Sequence, residues 1–117
     1  MSEDCPPSGQ TPAGFDLDRF HQLLAVVGAH RQLLLDHAIS DLSKVRNGLG
    51  VGDVPLAAIR EHSHVLSALA GTLGETRLQA MSEMLNRESH AGRTGDIPAI
   101  LDRLDDLLGF LGRQKCA

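Results

Sequence analysis

The sequence predicts an all-α fold, an antiparallel four-helix bundle with a short additional N-terminal helix. Three observations predict it. Apolar residues recur three and four positions apart through most of the chain, which is the period of a helix with one buried side. Glycines separate these periodic stretches, and glycine ends helices because it adopts the left-handed conformation without a steric penalty. No stretch alternates apolar and polar residues between turn signals, as a half-buried strand would. Four amphipathic helices on short links bury their apolar stripes most simply as a bundle.

Each element has its own signals. Residues 1–14 are rich in Pro, Gly, Ser and acidic groups, lack periodicity and read as a flexible tail. A short helix is expected from Asp16 to Val27, with Phe20, Leu23, Leu24 and Val27 on one side and Gly28 at its end. The second helix is expected from Ala29 to Asn47, its inner side marked by Leu34, His37, Ala38, Asp41, Leu42 and Val45, with Gly48 and Gly50 at its exit. Asp53 reads as the N-cap of a third helix over Val54–Ala70, with Pro55 in the first turn, where a missing N–H costs little. A fourth helix spans Gly74–His90, with Leu78, Met81 and Leu85 inward. Asp96 and Pro98 repeat the cap-and-proline device for a last helix reaching Leu111. Its stripe is Ile97, Ile100, Leu101, Leu104, Leu107, Leu108 and Leu111. The bundle is thus expected over residues 15–112, with 113–117 as a short C-terminal tail.

Composition narrows the function. The chain has no Trp or Tyr, three Phe and a formal net charge of −4. Stacking platforms and a basic surface, the two needs of nucleic-acid binding, are both missing. No apolar run approaches the roughly 20 residues that cross a bilayer. The first residues lack the basic and apolar regions of a secretory signal, so a cytoplasmic protein is expected. Cys5 and Cys116 fall in the two tails and read as reduced thiols, the alternative being a bond between the tails. Neither a phosphate-cradling glycine loop after a strand nor a nucleophile elbow is present, so an enzyme with its own active site is not expected.

The third helix carries the informative pattern. Leu56, Ile59, Ser63, Leu66, Ala70 and Leu73 share one stripe. A helix turns about 100° per residue, which places His64 roughly 130° from the stripe centre and therefore in water. Around it stand Ala57, Arg60, Glu61, Ser67, Ala68 and Gly71. C-terminal to His64 this ridge reads Ser, Ala, Gly, where a solvated helix normally carries long charged side chains. A helical glycine costs about 1 kcal/mol relative to alanine. A ridge of small residues admits another protein close to the imidazole, as a nucleophile that must meet a reactive centre on a partner requires.

The run from His64 to Gly74, His-Val-Leu-Ser-Ala-Leu-Ala-Gly-Thr-Leu-Gly, followed by Leu78, resembles the signature of histidine-containing phosphotransfer (HPt) domains. The lead-in from Phe15 to Phe20, the break at Gly28, the linker before the third helix and the final amphipathic helix follow the family's order, so the resemblance covers about Phe15–Leu111. It implies a phosphorelay carrier rather than an enzyme, with His64 as phosphoryl acceptor and Arg60, Ser67, Ala68 and Gly71 as its supporting and docking ground. The implied partners are a response-regulator receiver domain, a histidine kinase, or both. The implied Mg²⁺ belongs to the receiver, and the chain needs no cofactor or metal of its own. A monomer suffices. Ser67 stands where the family has lysine, and Ala68 where it has glycine. Arg60, one turn before His64, is the cation that the sequence offers in place of the lysine. The loss of that lysine also suits a second reading, a transfer-impaired module that binds and sequesters a receiver or kinase.

The other histidines have ordinary explanations. His62 falls at the flank of the core stripe. His30 and His37 are seven apart and His62 and His64 two apart, neither being the i, i+3 or i, i+4 spacing that places two metal ligands together on one helix. His21 and His90 stand alone. Asp102, Asp105 and Asp106 read as the solvated face of the last helix, and Met81 and Met84 as core filling or a soft edge of a partner surface.

Overall fold

The computed structural model of the chain describes residues 12–115, and within them all regular structure is helical. Helix α1 spans Leu17–Val27, α2 Arg31–Leu49, α3 Leu56–Leu73, α4 Thr76–His90 and α5 Ile97–Lys115, with a 3₁₀ turn over Gly28–His30 between α1 and α2. None is long and apolar enough to cross a membrane. Cys5 and Cys116 lie outside the described residues.

Local chemistry sets the helix ends. Asp16 caps α1, its Oδ1 accepting from the Arg19 N–H at 3.0 Å, and Asp96 caps α5 in the same way, accepting from Ala99 at 3.2 Å. The third helix begins differently from the expectation at Asp53. Pro55 occupies the N-cap position in an extended conformation (φ −61°, ψ 146°), no side chain caps the helix, and its first residue is Leu56. The Pro55 carbonyl accepts from Ile59 at 3.0 Å. Val54 and Ile59 are both buried on either side of this start, at the positions of a hydrophobic staple. The helix then runs past Ala70 to Leu73, where Gly74 adopts φ 91°. A Cβ at Gly74 would also sit 2.7 Å from the Asp16 carbonyl oxygen, so glycine is required there twice over.

The helices close on one apolar core. Leu35, Leu42 and Leu49 of α2, Ile59, Leu66 and Leu73 of α3, Leu78 and Leu85 of α4, and Leu104, Leu107 and Leu111 of α5 are all buried. Leu35, not His37 or Asp41, is the inward residue of the first turns of α2; His37 and Asp41 are exposed. At one end Phe15, Phe20 and Phe110 meet with ring centroids 4.9 to 5.6 Å apart, separations at which tilted and edge-on aromatic pairs attract. The segment before α1 is pinned to the α3–α4 junction, since Asp16 donates to the Gly74 carbonyl at 2.7 Å and Thr76 Oγ1 donates to the Gly14 carbonyl at 2.6 Å.

The last helix extends four residues beyond Leu111, so residues 113–115 of the expected tail are helical. They are held against the start of α2: Lys115 pairs with Asp36 at 2.5 Å, and Arg31 donates to the Gln114 carbonyl at 3.1 Å. Nearer the other end of α2, Arg46 pairs with Asp105 at 3.0 Å. The hydrogen bond that Arg46 donates to Asp105, and then the charge of that carboxylate, raise the pKa of the Arg46 guanidinium above its ordinary value.

Candidate functional site

Helix α3 sorts its residues as a 3.6-residue period requires. Ile59, Ser63, Leu66, Ala70 and Leu73 face inward and are buried, while Ala57, Glu61, His64, Val65, Ala68 and Thr72 form the exposed side. His64 therefore stands in solvent. Among the described residues its imidazole makes no hydrogen bond, ion pair or ring contact, so both ring nitrogens are open to an incoming group. Ala57 lies two turns before it and Ala68 one turn after, leaving the approach along the helix uncluttered.

A polar seam between α3 and α4 holds this face in register. Asn86 Nδ2 donates to Ser63 Oγ at 3.0 Å and to the Arg60 carbonyl at 3.2 Å, and Ser63 Oγ donates to that same carbonyl at 3.1 Å. The buried Ser63, read from sequence as part of the core stripe, is thus satisfied from α4, which a buried hydroxyl needs. The contacts fix which residues of α4 stand beside His64. A groove there is lined by Ser63, His64, Ser67, Glu83, Asn86 and Arg87. Farther along α3, a second depression shares His64 and Ser67 and is bordered by Arg19 of α1 and Gln79 of α4.

The residues expected around His64 take different places. Ala68 is exposed beside it. Ser67 is half-buried, its hydroxyl donating to Glu83 Oε2 at 3.4 Å. Gly71 is buried, and a Cβ there would fall 2.9 Å from the Gln79 side-chain nitrogen. Its smallness lets α4 lay Gln79 across α3, so of the small residues Ala68 and Gly71 only Ala68 is open at the surface. Arg60 turns away from the histidine. Its guanidinium donates to the Ser89 carbonyl at 3.1 Å, in the last turn of α4, where a cation complements the negative end of the helix.

Sequence reasoning missed Glu83, Asn86, Arg87, Gln79 and Arg19. Four of the five belong to α4, and only the pairing of α3 with α4 brings them to His64. His62 lies half-buried against α2, where a Cβ on Gly48 would fall 2.3 Å from its Nε2. Among the described residues no group of three His, Cys, Asp or Glu side chains is placed to hold a metal ion. No model of a known protein family, no curated protein and no solved structure matches the chain.

Proposed function

We propose that the chain is a histidine phosphotransfer domain of a two-component phosphorelay, an antiparallel four-helix bundle with α1 as the additional N-terminal helix, carrying a phosphoryl group on His64. One observation carries the reading. The residue that the HPt-like signature nominates is a solvent-exposed imidazole without intramolecular partners, on a helix face kept low by Ala57 and Ala68.

The chemistry asks little else of the chain. The lone pair of an unprotonated ring nitrogen attacks the phosphorus of an aspartyl phosphate on a receiver domain. The P–O bond breaks, and its electrons leave with the aspartate carboxylate. The receiver brings Mg²⁺ and its own polar groups, and the bundle brings a nucleophile held in place. Carrier and acceptor roles are reversible by the same path.

Glu83 in the groove favours the second reading, a module that binds a receiver or kinase without accepting phosphate, because a carboxylate beside His64 opposes an arriving anion. The two readings separate in one experiment. Wild type and His64→Ala are mixed with phosphorylated receiver domains from the same cell, and acid-labile phosphate is scored on each. Label on wild type alone supports the carrier. Receiver binding without label, from receivers that phosphorylate another HPt domain, supports the sequestering module.

A further inference from the structure

We propose that Arg87 supplies the positive charge that holds the phosphoryl group on His64, the task for which this chain has no lysine at position 67; the inference rests on the phosphotransfer reading above. The register of α3 against α4 carries it. Asn86 hydrogen-bonds Ser63, the residue before His64, which brings Arg87, the next residue of α4, level with the histidine. Both line the same groove.

The charges of that groove make a cation necessary. A phosphoryl group brings close to two negative charges at neutral pH. Among the groove residues Glu83 adds another, and Arg87 is the one permanently cationic side chain. Arg87 is exposed and makes no ion pair or side-chain hydrogen bond among the described residues, although Glu83 lies one helical turn before it. It is free to swing onto an arriving anion. The other nearby arginines differ. Arg60 is committed to the Ser89 carbonyl, and Arg19 borders the depression farther along α3. Guanidinium also suits phosphoryl oxygens better than a point charge does, since it donates two parallel N–H groups.

The test compares wild type with Arg87→Gln and Arg87→Lys. The readouts are the rate of transfer from a phosphorylated receiver and the lifetime of phosphorylated His64 after the receiver is removed. A unit charge about 7 Å from a dianion in water corresponds to roughly a sevenfold effect. Arg87→Gln should therefore slow transfer or shorten the lifetime by about three- to tenfold, with the gap narrowing as salt is raised. Arg87→Lys should stay within about twofold of wild type. Transfer and lifetime both unchanged in Arg87→Gln, or Arg87→Lys as impaired as Arg87→Gln, would overturn the assignment while leaving the carrier role standing. Wild type that binds receivers without taking label refutes the carrier role itself, and the assignment with it.

Discussion

Glu75 is fully buried, an unusual place for a carboxylate, and its removal gives a large, attributable effect. It sits where α3 ends and α4 begins. Its Oε1 accepts from the Leu78 N–H at 3.2 Å, capping α4, and also from Arg103 of α5 at 3.1 Å; Oε2 lies 2.7 Å from Arg103 Nε. Arg103 is itself only 12% exposed. Glu75→Ala removes the cap, worth about 1 kcal/mol, and strands a largely buried guanidinium, which costs about 3–5 kcal/mol where one partner of a buried pair is lost. A total of about 4–6 kcal/mol would lower the melting temperature by roughly 15 °C or more in a domain of this size. Urea denaturation followed by circular dichroism measures it. In an Arg103→Met background the same Glu75→Ala change should cost less than about 1 kcal/mol, because it removes the cap but also removes a carboxylate that Arg103→Met has already stranded. A cost below about 1 kcal/mol in the wild-type background, or the same cost in both, would refute the claim that the pair acts as a buried unit.

Two further outcomes follow from packing. Gly48→Ala should destabilise the fold by about 1–2 kcal/mol, since its Cβ would fall 2.3 Å from His62 Nε2; Gly48→Ala in a His62→Ala background should recover most of that loss, and a chemical denaturation series on the four proteins checks it. His64→Ala should change stability by less than about 0.5 kcal/mol in the same assay, as an exposed residue without partners predicts; a loss above 2 kcal/mol would contradict its placement on the outer face.

Much of α3 was legible in the sequence. Helical period alone assigns Ile59, Ser63, Leu66, Ala70 and Leu73 to the core and His64 to solvent, because a regular helix fixes the azimuth of every side chain. Azimuth does not fix reach. Arg60 lies one turn from His64, yet its long side chain extends to the end of α4. The start of α3 was misread because two signals compete within three residues, and the fixed backbone of Pro55 prevailed over the capping potential of Asp53. Glu75 was illegible for another reason. A carboxylate is buried only with a partner, and the partner here is 28 residues away on another helix. The groove beside His64 shares that limit. Glu83, Asn86 and Arg87 read as polar helix surface until the Asn86–Ser63 contact sets the register of α4 on α3. Gly71 shows one residue type answering two demands, since close helix packing and partner access both select small side chains.

The central claim is that His64 accepts a phosphoryl group, and site mapping tests it most directly. The full chain is incubated with a phosphorylated receiver domain that is active on another HPt domain, and the acid-labile phosphate is located by mass spectrometry under alkaline conditions. Phosphohistidine is expected at position 64 and at no other histidine, and none on His64→Ala. Phosphate on His62 or His90 instead, or a stable complex with the receiver and no phosphate on the chain, would contradict it.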